Sequence, residues 1–239
     1  MIRHALTSVT LGAFFVSLMG CGPPPRMLVG GALAGTAPYE VTARPGAFTG
    51  DQLAFAPYRA TGWRESWSAE DTSRFGERFA DFGGEYAFAF ALEREGATQR
   101  QVGCRAVAAL AQSDATRRLY AYALRCSIWD AAGEVERAWA EVDLVGGGEL
   151  ALAPAEEGAE PSVFGVQPVL MSEGGRARQE PYGYQLLGAE GPFAAVQADG
   201  PRVWIDASTD ADLQHDAAAL SAALVEGYHW SVAHMRTAR

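Results

Sequence analysis

The sequence predicts a mainly β fold of the α+β class, in which an antiparallel β-meander forms a curved sheet, a sandwich or a barrel. Three observations support this. Apolar and polar residues alternate through residues 84–144, and Gly and Asp interrupt the alternation where turns are needed. Two cysteines, Cys104 and Cys126, fall opposite each other in one register of that meander. Residues 217–225 contain no charge, which predicts a C-terminal apolar helix packed on or in the sheet and largely surrounded by protein.

The register of the two central strands follows from a chain reversal at residues 114–116, which sets Cys104 opposite Cys126. Directly opposed Cβ atoms lie about 4.5–5.5 Å apart, near the reach of a disulfide. We therefore predict a disulfide, with two reduced buried thiols as the alternative; the missing C-x-x-C spacing disfavours a redox-active pair. The other predicted pairs are Val102 with Ile128, Ala106 with Leu124, Ala108 with Tyr122 and Leu110 with Tyr120 on the apolar face, and Gly103 with Ser127 and Arg105 with Arg125 on a wet opposite face.

Two further strands extend the meander on either side. A turn at residues 96–98 predicts a strand before it, and a looser turn at residues 130–133 predicts a strand after it. Both strands place an apolar row on the face that carries the cysteines. The first row is Tyr86, Phe88, Phe90 and Leu92 beside Ala108, Ala106, Cys104 and Val102, and the second row is Ala138, Ala140, Val142 and Leu144.

The remaining chain is predicted to add short strands and one long helix. Thr209 and Asp212 have the spacing of a capping box, with Asp in place of the usual Glu, and the helix is expected to run to about Trp230. The other expected elements are one or two strands in 52–68, a possible short helix in 73–82, a region of mainly loop with one or two short strands in 146–180, and strands at 182–187, 193–197 and 202–206.

The N-terminus has the pattern of an export signal. A basic start at Arg3 and His4 precedes an apolar run, residues 5–16, that is too short to span a membrane. The segment that closes it, Leu18-Met19-Gly20-Cys21, resembles the lipobox of bacterial lipoproteins. That resemblance implies cleavage before Cys21 and a lipid on its sulfur. By the same resemblance, Gly22 in place of Asp implies passage to the outer membrane of a Gram-negative host, on the periplasmic side.

These features give a simple domain organisation. Residues 1–20 are the predicted signal peptide, residues 21–38 a flexible tether rich in Pro, Gly and Ala, and residues 39–239 a single β-rich domain with a possible sub-boundary near 146–160. Removing the signal takes away one of 19 basic residues and none of the 29 acidic ones, which leaves a net charge of −11. An acidic surface without basic clusters argues against nucleic acid or anionic-lipid headgroups as partners.

The order of elements near the C-terminus also resembles the tubby C-terminal-like architecture, which includes the LURP-one-related proteins. The resemblance lies in the strands followed by the final strand–helix unit, Val203 to Tyr228. It implies a closed barrel around the helix, and binding of membrane-lipid headgroups. The basic cluster that would carry such binding is not visible in the sequence.

No residue pattern predicts a catalytic, metal or cofactor site. His229 and His234 are five residues apart and do not align on a helix face as a metal-binding pair would. The spacing of Asp206, Asp210, Asp212 and Asp216 fails the calcium-loop pattern, and no G-x-S-x-G is present. On the second face of the meander, a patch of Trp129 and Trp139 with Arg125 and Arg137 is a possible binding surface, although structural packing explains it as well.

Three functional hypotheses follow from these observations. The first is a lipid-anchored, non-enzymatic binding or scaffold module of the cell envelope, attached to the membrane through Cys21 and directed at an unknown protein or small-molecule partner. The second is a barrel-like carrier or sensor of a small apolar ligand or lipid. The third is an envelope hydrolase whose site has no recognisable motif.

Overall fold

The computed structural model describes residues 25–42, 53–66, 84–111, 119–144, 146–154 and 160–237. These residues form one antiparallel sheet, a short 3₁₀ helix and a long C-terminal helix, as the sequence predicts for a mainly β protein. The elements are a 3₁₀ helix Gly31–Gly35, β1 Tyr39–Glu40, β2 Leu53–Phe55, β3 Tyr58–Ser66, β4 Gly84–Arg94, β5 Ala97–Ala111, β6 Leu119–Trp129, β7 Glu136–Asp143, β8 Gly147–Leu152, β9 Ser162–Val169, β10 Gly183–Gly188, β11 Gly191–Gln197, β12 Arg202–Ile205 and α1 Ala211–Thr237.

The sheet curves into a nearly closed barrel. From β2 to β12, consecutive strands of the chain pair with each other, and β1 pairs with β12 at the far edge. The two edges meet just after β1, where the backbone N–H of Thr42 donates to the carbonyl of Ala54 in β2 at 2.9 Å. The Thr42 hydroxyl donates to the same carbonyl at 3.3 Å. This seam joins the first two strands across the whole sheet and leaves the barrel almost without an open edge.

The register predicted for the central strands is confirmed. Cys104 lies opposite Cys126, and the two form a disulfide. Val102 pairs with Ile128 on the same inward face, and both are buried. The opposite face is less wet than predicted, because Arg105 is only 6% exposed.

The register predicted for β4 and β5 is wrong by two residues. Phe88 lies opposite Cys104, whereas the sequence placed it opposite Ala106. The turn is tighter than expected: Glu95 and Gly96, with φ of 53° and 82°, form a two-residue hairpin loop of the kind that favours positive φ. A bulge beside Leu92 moves the pairing by one residue, and the net shift from the predicted register is two residues. A shift of two residues keeps every side chain on its face, so the apolar row is preserved.

The C-terminal half contains the short strands that the sequence predicts. Residues 146–180, expected to be mainly loop with one or two short strands, contain β8 and β9, and β8 pairs with β7 on one side and β9 on the other. The sheet therefore runs continuously through the possible sub-boundary near 146–160. Strands β10, β11 and β12 match the predicted positions within two residues at each end. The possible helix at residues 73–82 lies outside the described residues.

Helix α1 occupies the space that the sheet encloses. Every residue from 216 to 228 is buried, and the helix contacts β3 to β7 on one side and β11 and β12 on the other. The cap at its start is Asp210, not Thr209, because the Asp210 carboxylate accepts the N–H groups of Asp212 and Leu213. The helix extends to Thr237, beyond the predicted end at Trp230.

Residues 25–35, here called the strap, lie against the outer face of the barrel wall. Met27 is fully buried and Leu33 is 1% exposed. The side chain of Gln197 accepts the backbone N–H of Met27 at 2.9 Å and donates to the carbonyl of Pro25 at 3.2 Å. The described part of the segment predicted as a flexible tether is thus held by the barrel. The strap packs on Tyr182, Ala195, Trp204 and Val169.

Candidate functional site

The strongest concentration of charge lies at the mouth of the barrel where α1 begins. Arg100, from β5, reaches α1 with Nε 2.5 Å from Asp216 Oδ1 and Nη2 3.0 Å from Asp212 Oδ1. Arg137, from β7, places Nη2 3.0 Å from Asp212 Oδ2. Asp212 and Asp216 are one helical turn apart and so share a face of the helix. We call these four residues the arginine–aspartate cluster.

Burial sets the electrostatics of this cluster. The side chains of Arg100 and Asp216 are 7% and 3% exposed, whereas that of Asp212 is 60% exposed. Burial opposes the charge of Arg100, but hydrogen bonds from its guanidinium to Asp216 and Asp212 outweigh burial and raise its pKa. Burial raises the pKa of Asp216, and the ion pair with Arg100 offsets part of that effect. The hydrogen bond from Arg100 lowers the pKa of Asp212.

The acids near the start of α1 already have structural partners. Asp206 accepts the backbone N–H and the hydroxyl of Ser208, and Asp210 caps the helix. Asp212 and Asp216 are bound by arginines. Within the described part of the chain, no group of three His, Cys, Asp or Glu side chains is placed to hold a metal ion. The cluster therefore fixes α1 in the barrel, and offers a polar rim to anything that binds at the mouth.

Two cavities flank the cluster at this mouth. One, of about 360 Å³, is lined by Tyr58 and Arg94 together with residues at the start of α1. The other, of about 530 Å³, is lined by Arg137, Asp212 and Ser162 among others. Both walls combine charged and apolar side chains, which is a surface suited to a small polar group and not to a wholly apolar ligand.

His215 is a titratable side chain of the mouth that lies outside the cluster. Its ring meets Tyr58 edge to face with centroids 5.8 Å apart, and neither ring nitrogen makes a hydrogen bond to a described residue. Burial lowers its pKa, which favours the neutral ring. Two serines that could act as nucleophiles have structural partners instead: Ser172 Oγ accepts the N–H of Arg176, and Ser208 Oγ donates to Asp206. The described contacts thus join no serine to His215.

A second polar pair lies deep in the barrel toward the other end of α1. The hydroxyl of Tyr86 donates to Glu226 Oε1 at 2.7 Å, and Glu226 is 4% exposed. Its Oε2 atom makes no hydrogen bond to a described residue. Burial raises the pKa of Glu226 to about 7, although the hydrogen bond from Tyr86 acts in the opposite direction. Sequence reasoning missed this residue; the available signal was an acid directly after the uncharged stretch, on a helix expected to be enclosed.

The outer surface of the barrel carries an exposed aromatic residue among small ones. Trp139 is 42% exposed and lies opposite Ala151, which lies opposite Val163, itself 55% exposed. Ala151 itself is fully buried, so we call the two exposed residues, Trp139 and Val163, the outer-wall patch. In the adjacent row, Arg125 forms an ion pair with Glu141 at 2.5 Å. The patch lies on the second face of the meander, where the sequence predicted a possible binding surface of Trp and Arg.

The residues that the sequence singled out fall into two groups. Cys104 and Cys126 form the predicted disulfide in the barrel interior. Cys21 and the rest of residues 1–24 lie outside the described residues, as does the side chain of His234. Among the described residues, no helix combines the length and the apolar character that a membrane-spanning segment needs.

Comparison with known proteins gives no relative: no family model, no curated protein and no solved structure matches the chain. The resemblance to the tubby C-terminal-like architecture therefore stays a prediction.

Proposed function

We propose that the protein is a lipid-anchored module of the cell envelope that binds or scaffolds another envelope component without catalysing a reaction. The observation that carries this proposal is the segment Leu18-Met19-Gly20-Cys21 at the end of a short apolar run. The disulfide between Cys104 and Cys126 supports the same compartment, because disulfides persist in oxidising environments outside the cytosol.

The arrangement of the barrel supports a binding role over a carrier role. A carrier of an apolar ligand needs an empty apolar lumen, whereas the lumen here is occupied by α1. The cavities at the mouth are lined in part by charged residues such as Arg137 and Asp212. A hydrolase has less support as well, because the described contacts join no serine to His215 and the nearby carboxylates are already engaged in ion pairs and caps.

The outer-wall patch is the surface best suited to a protein partner. Exposed Trp side chains dominate binding energy at many interfaces, where a ring of neighbouring residues excludes water around them. Trp139 is exposed beside the small Ala151, and the ion pair of Arg125 and Glu141 borders it. We place the partner-binding surface here, on the periplasmic side of the outer membrane if the host is Gram-negative.

The anchor is tested by replacing its sulfur. The Cys21→Ser variant should move from the membrane fraction to the soluble fraction, and the mass of the wild-type protein should include the lipid. A wild-type protein whose Cys21 is unmodified, or a variant that stays in the membrane, would contradict the lipoprotein proposal.

The binding role is tested in the native envelope. A photo-crosslinking amino acid at Trp139 should capture a defined partner, whereas the same amino acid at Val135, which is 56% exposed in the β6–β7 turn, should not. Equal capture at both positions would remove the outer-wall patch as the binding surface.

A further inference from the structure

The strap forms a short antiparallel ladder with the segment that connects β9 to β10. Met27 bridges Ser172, and both are buried. The N–H of Leu28 donates to the carbonyl of Met171 at 2.9 Å, and the N–H of Glu173 donates to the carbonyl of Arg26 at 2.9 Å. Because side chains alternate along extended chains, Leu28 and Met171 point away from the barrel, opposite in direction to Met27.

These outward residues expose apolar surface in one place. Leu28 is 47% exposed, Met171 is 39% exposed and the adjoining Leu170 is 40% exposed. Arg26 and Arg176 are exposed beside them, together with Glu173. We call Leu28, Leu170 and Met171 the strap patch. Apolar side chains with arginines at their border match the boundary between lipid headgroups and acyl chains, where apolar groups insert and cations meet phosphates.

The length of chain between the anchor and the barrel links this surface to the bilayer. Pro25 is already held by Gln197, so only residues 22–24 separate Cys21 from the docked strap. Four virtual bonds of an extended chain span at most about 14 Å. A free tether over residues 21–38 would instead reach roughly 60 Å. A lipid on Cys21 therefore holds the strap within a short distance of the membrane surface.

We propose that the strap patch is a membrane-contact surface, which rests against the lipid headgroups beside the anchor. This inference rests on the lipidation proposed for Cys21. A lipid anchor fixes one point of the protein at the bilayer, and a second contact adds to its residence on the membrane and restrains its rotation. The strap patch supplies that second contact and sets an orientation.

The orientation follows from strand β9. Its last residue, Val169, leads into the strap patch, whereas its first residue, Ser162, lines the cavity beside Asp212. The strand spans roughly 23 Å. The mouth with the arginine–aspartate cluster consequently points away from the bilayer, and so does Val163 of the outer-wall patch.

The test uses the full acylated protein in vesicles of phosphatidylethanolamine and phosphatidylglycerol. An environment-sensitive nitrobenzoxadiazole label is attached to a thiol introduced as Leu28→Cys or Met171→Cys, with Val135→Cys as the matched exposed control at the mouth. We expect blue-shifted emission and quenching by nitroxide-labelled lipids at positions 28 and 171, and water-like emission at position 135. All three positions are exposed, so the labels should leave the fold intact, which circular dichroism checks.

The outcomes separate the two proposals. Mass spectrometry that shows acylated Cys21, combined with water-like emission at positions 28 and 171, would overturn the membrane-contact surface alone. Quenching of equal strength at all three positions would overturn the orientation and with it the proposed surface. Protection at positions 28 and 171 in native envelopes but not in protein-free vesicles would assign the strap patch to a protein partner instead. An unacylated Cys21 would overturn the anchor, and the inference that rests on it.

Discussion

The Tyr86 hydroxyl donates a hydrogen bond of 2.7 Å to the carboxylate of Glu226, which is enclosed in the barrel. Burial raises the pKa of Glu226 to about 7, from an ordinary value of 4.5. The folded state therefore holds the proton more tightly than the unfolded chain does. The stability that the protonated group contributes is fully present below about pH 4.5, and it is lost as pH rises to about 7.

Glu226→Gln should remove this pH dependence. We expect the free energy of unfolding of the wild type, relative to the variant, to fall by about 3 kcal/mol between pH 4.5 and pH 8, since one pKa unit corresponds to 1.36 kcal/mol. Urea denaturation at a series of pH values measures the difference. A difference between the two proteins that stays constant with pH would show that Glu226 titrates normally.

Loss of Asp216 should destabilise the protein strongly. Asp216→Ala leaves Arg100, whose side chain is 7% exposed, with only the solvent-facing Asp212 as a charged partner. Removing one member of a buried ion pair costs about 3–5 kcal/mol. The matched control is Glu141→Ala, which breaks the more exposed pair with Arg125 and should cost about 1 kcal/mol or less. Equal losses in urea denaturation for the two variants would argue against the fixing role of the cluster.

The disulfide should contribute measurably to stability. The bond between Cys104 and Cys126 closes a loop with a sequence separation of 22, which corresponds to about 3 kcal/mol in the chain-entropy model. Reduction with dithiothreitol should lower the urea midpoint, and the double variant Cys104→Ala, Cys126→Ala should be insensitive to the reagent. Two free thiols in the untreated protein, counted by mass spectrometry after alkylation, would contradict the assignment.

Gly183 marks a point where the strap and the barrel wall come too close for a side chain. A Cβ atom there would overlap the carbonyl oxygen of Val196 and lie 2.8 Å from the sulfur of Met27. Gly183→Ala should lower the free energy of unfolding by about 1–3 kcal/mol and loosen the packing of the strap on the barrel wall. Gly35→Ala, where an added Cβ meets nothing within 4 Å, is the control. Faster proteolysis near Arg26 in the first variant alone is the expected readout; identical cleavage of both would contradict it.

The register of the central hairpin, β5 and β6, could be predicted from the sequence, but the two-residue shift between β4 and β5 could not. The apolar alternation around Cys104 and Cys126 tolerates one register, because a slip of one residue exchanges the two faces. A slip of two residues keeps the faces and leaves no trace in the pattern. The turn and the bulge beside Leu92 together decide such a slip, and the positive φ of Glu95, a non-glycine residue, gave no signal of that turn.

Contacts between distant parts of the chain were harder to predict. The strap has the composition of a linker, and nothing in that composition reveals that Met27 and Leu33 are buried whereas Leu28 is exposed. Arg100 and Asp216 are 116 residues apart in the chain, so nothing local relates them. Their pairing depends on a helix entering a barrel at a particular depth, which is a property of the whole fold.

The position of α1 also constrains when the barrel can form. The helix that fills the interior is the last element of the chain, and the seam between Thr42 and Ala54 unites two segments near the other end. A barrel wall that closed before α1 was in place would exclude the helix from the interior. The meander must therefore keep an open edge and an uncovered apolar face until α1 is in place. During that interval the chain is most exposed to aggregation.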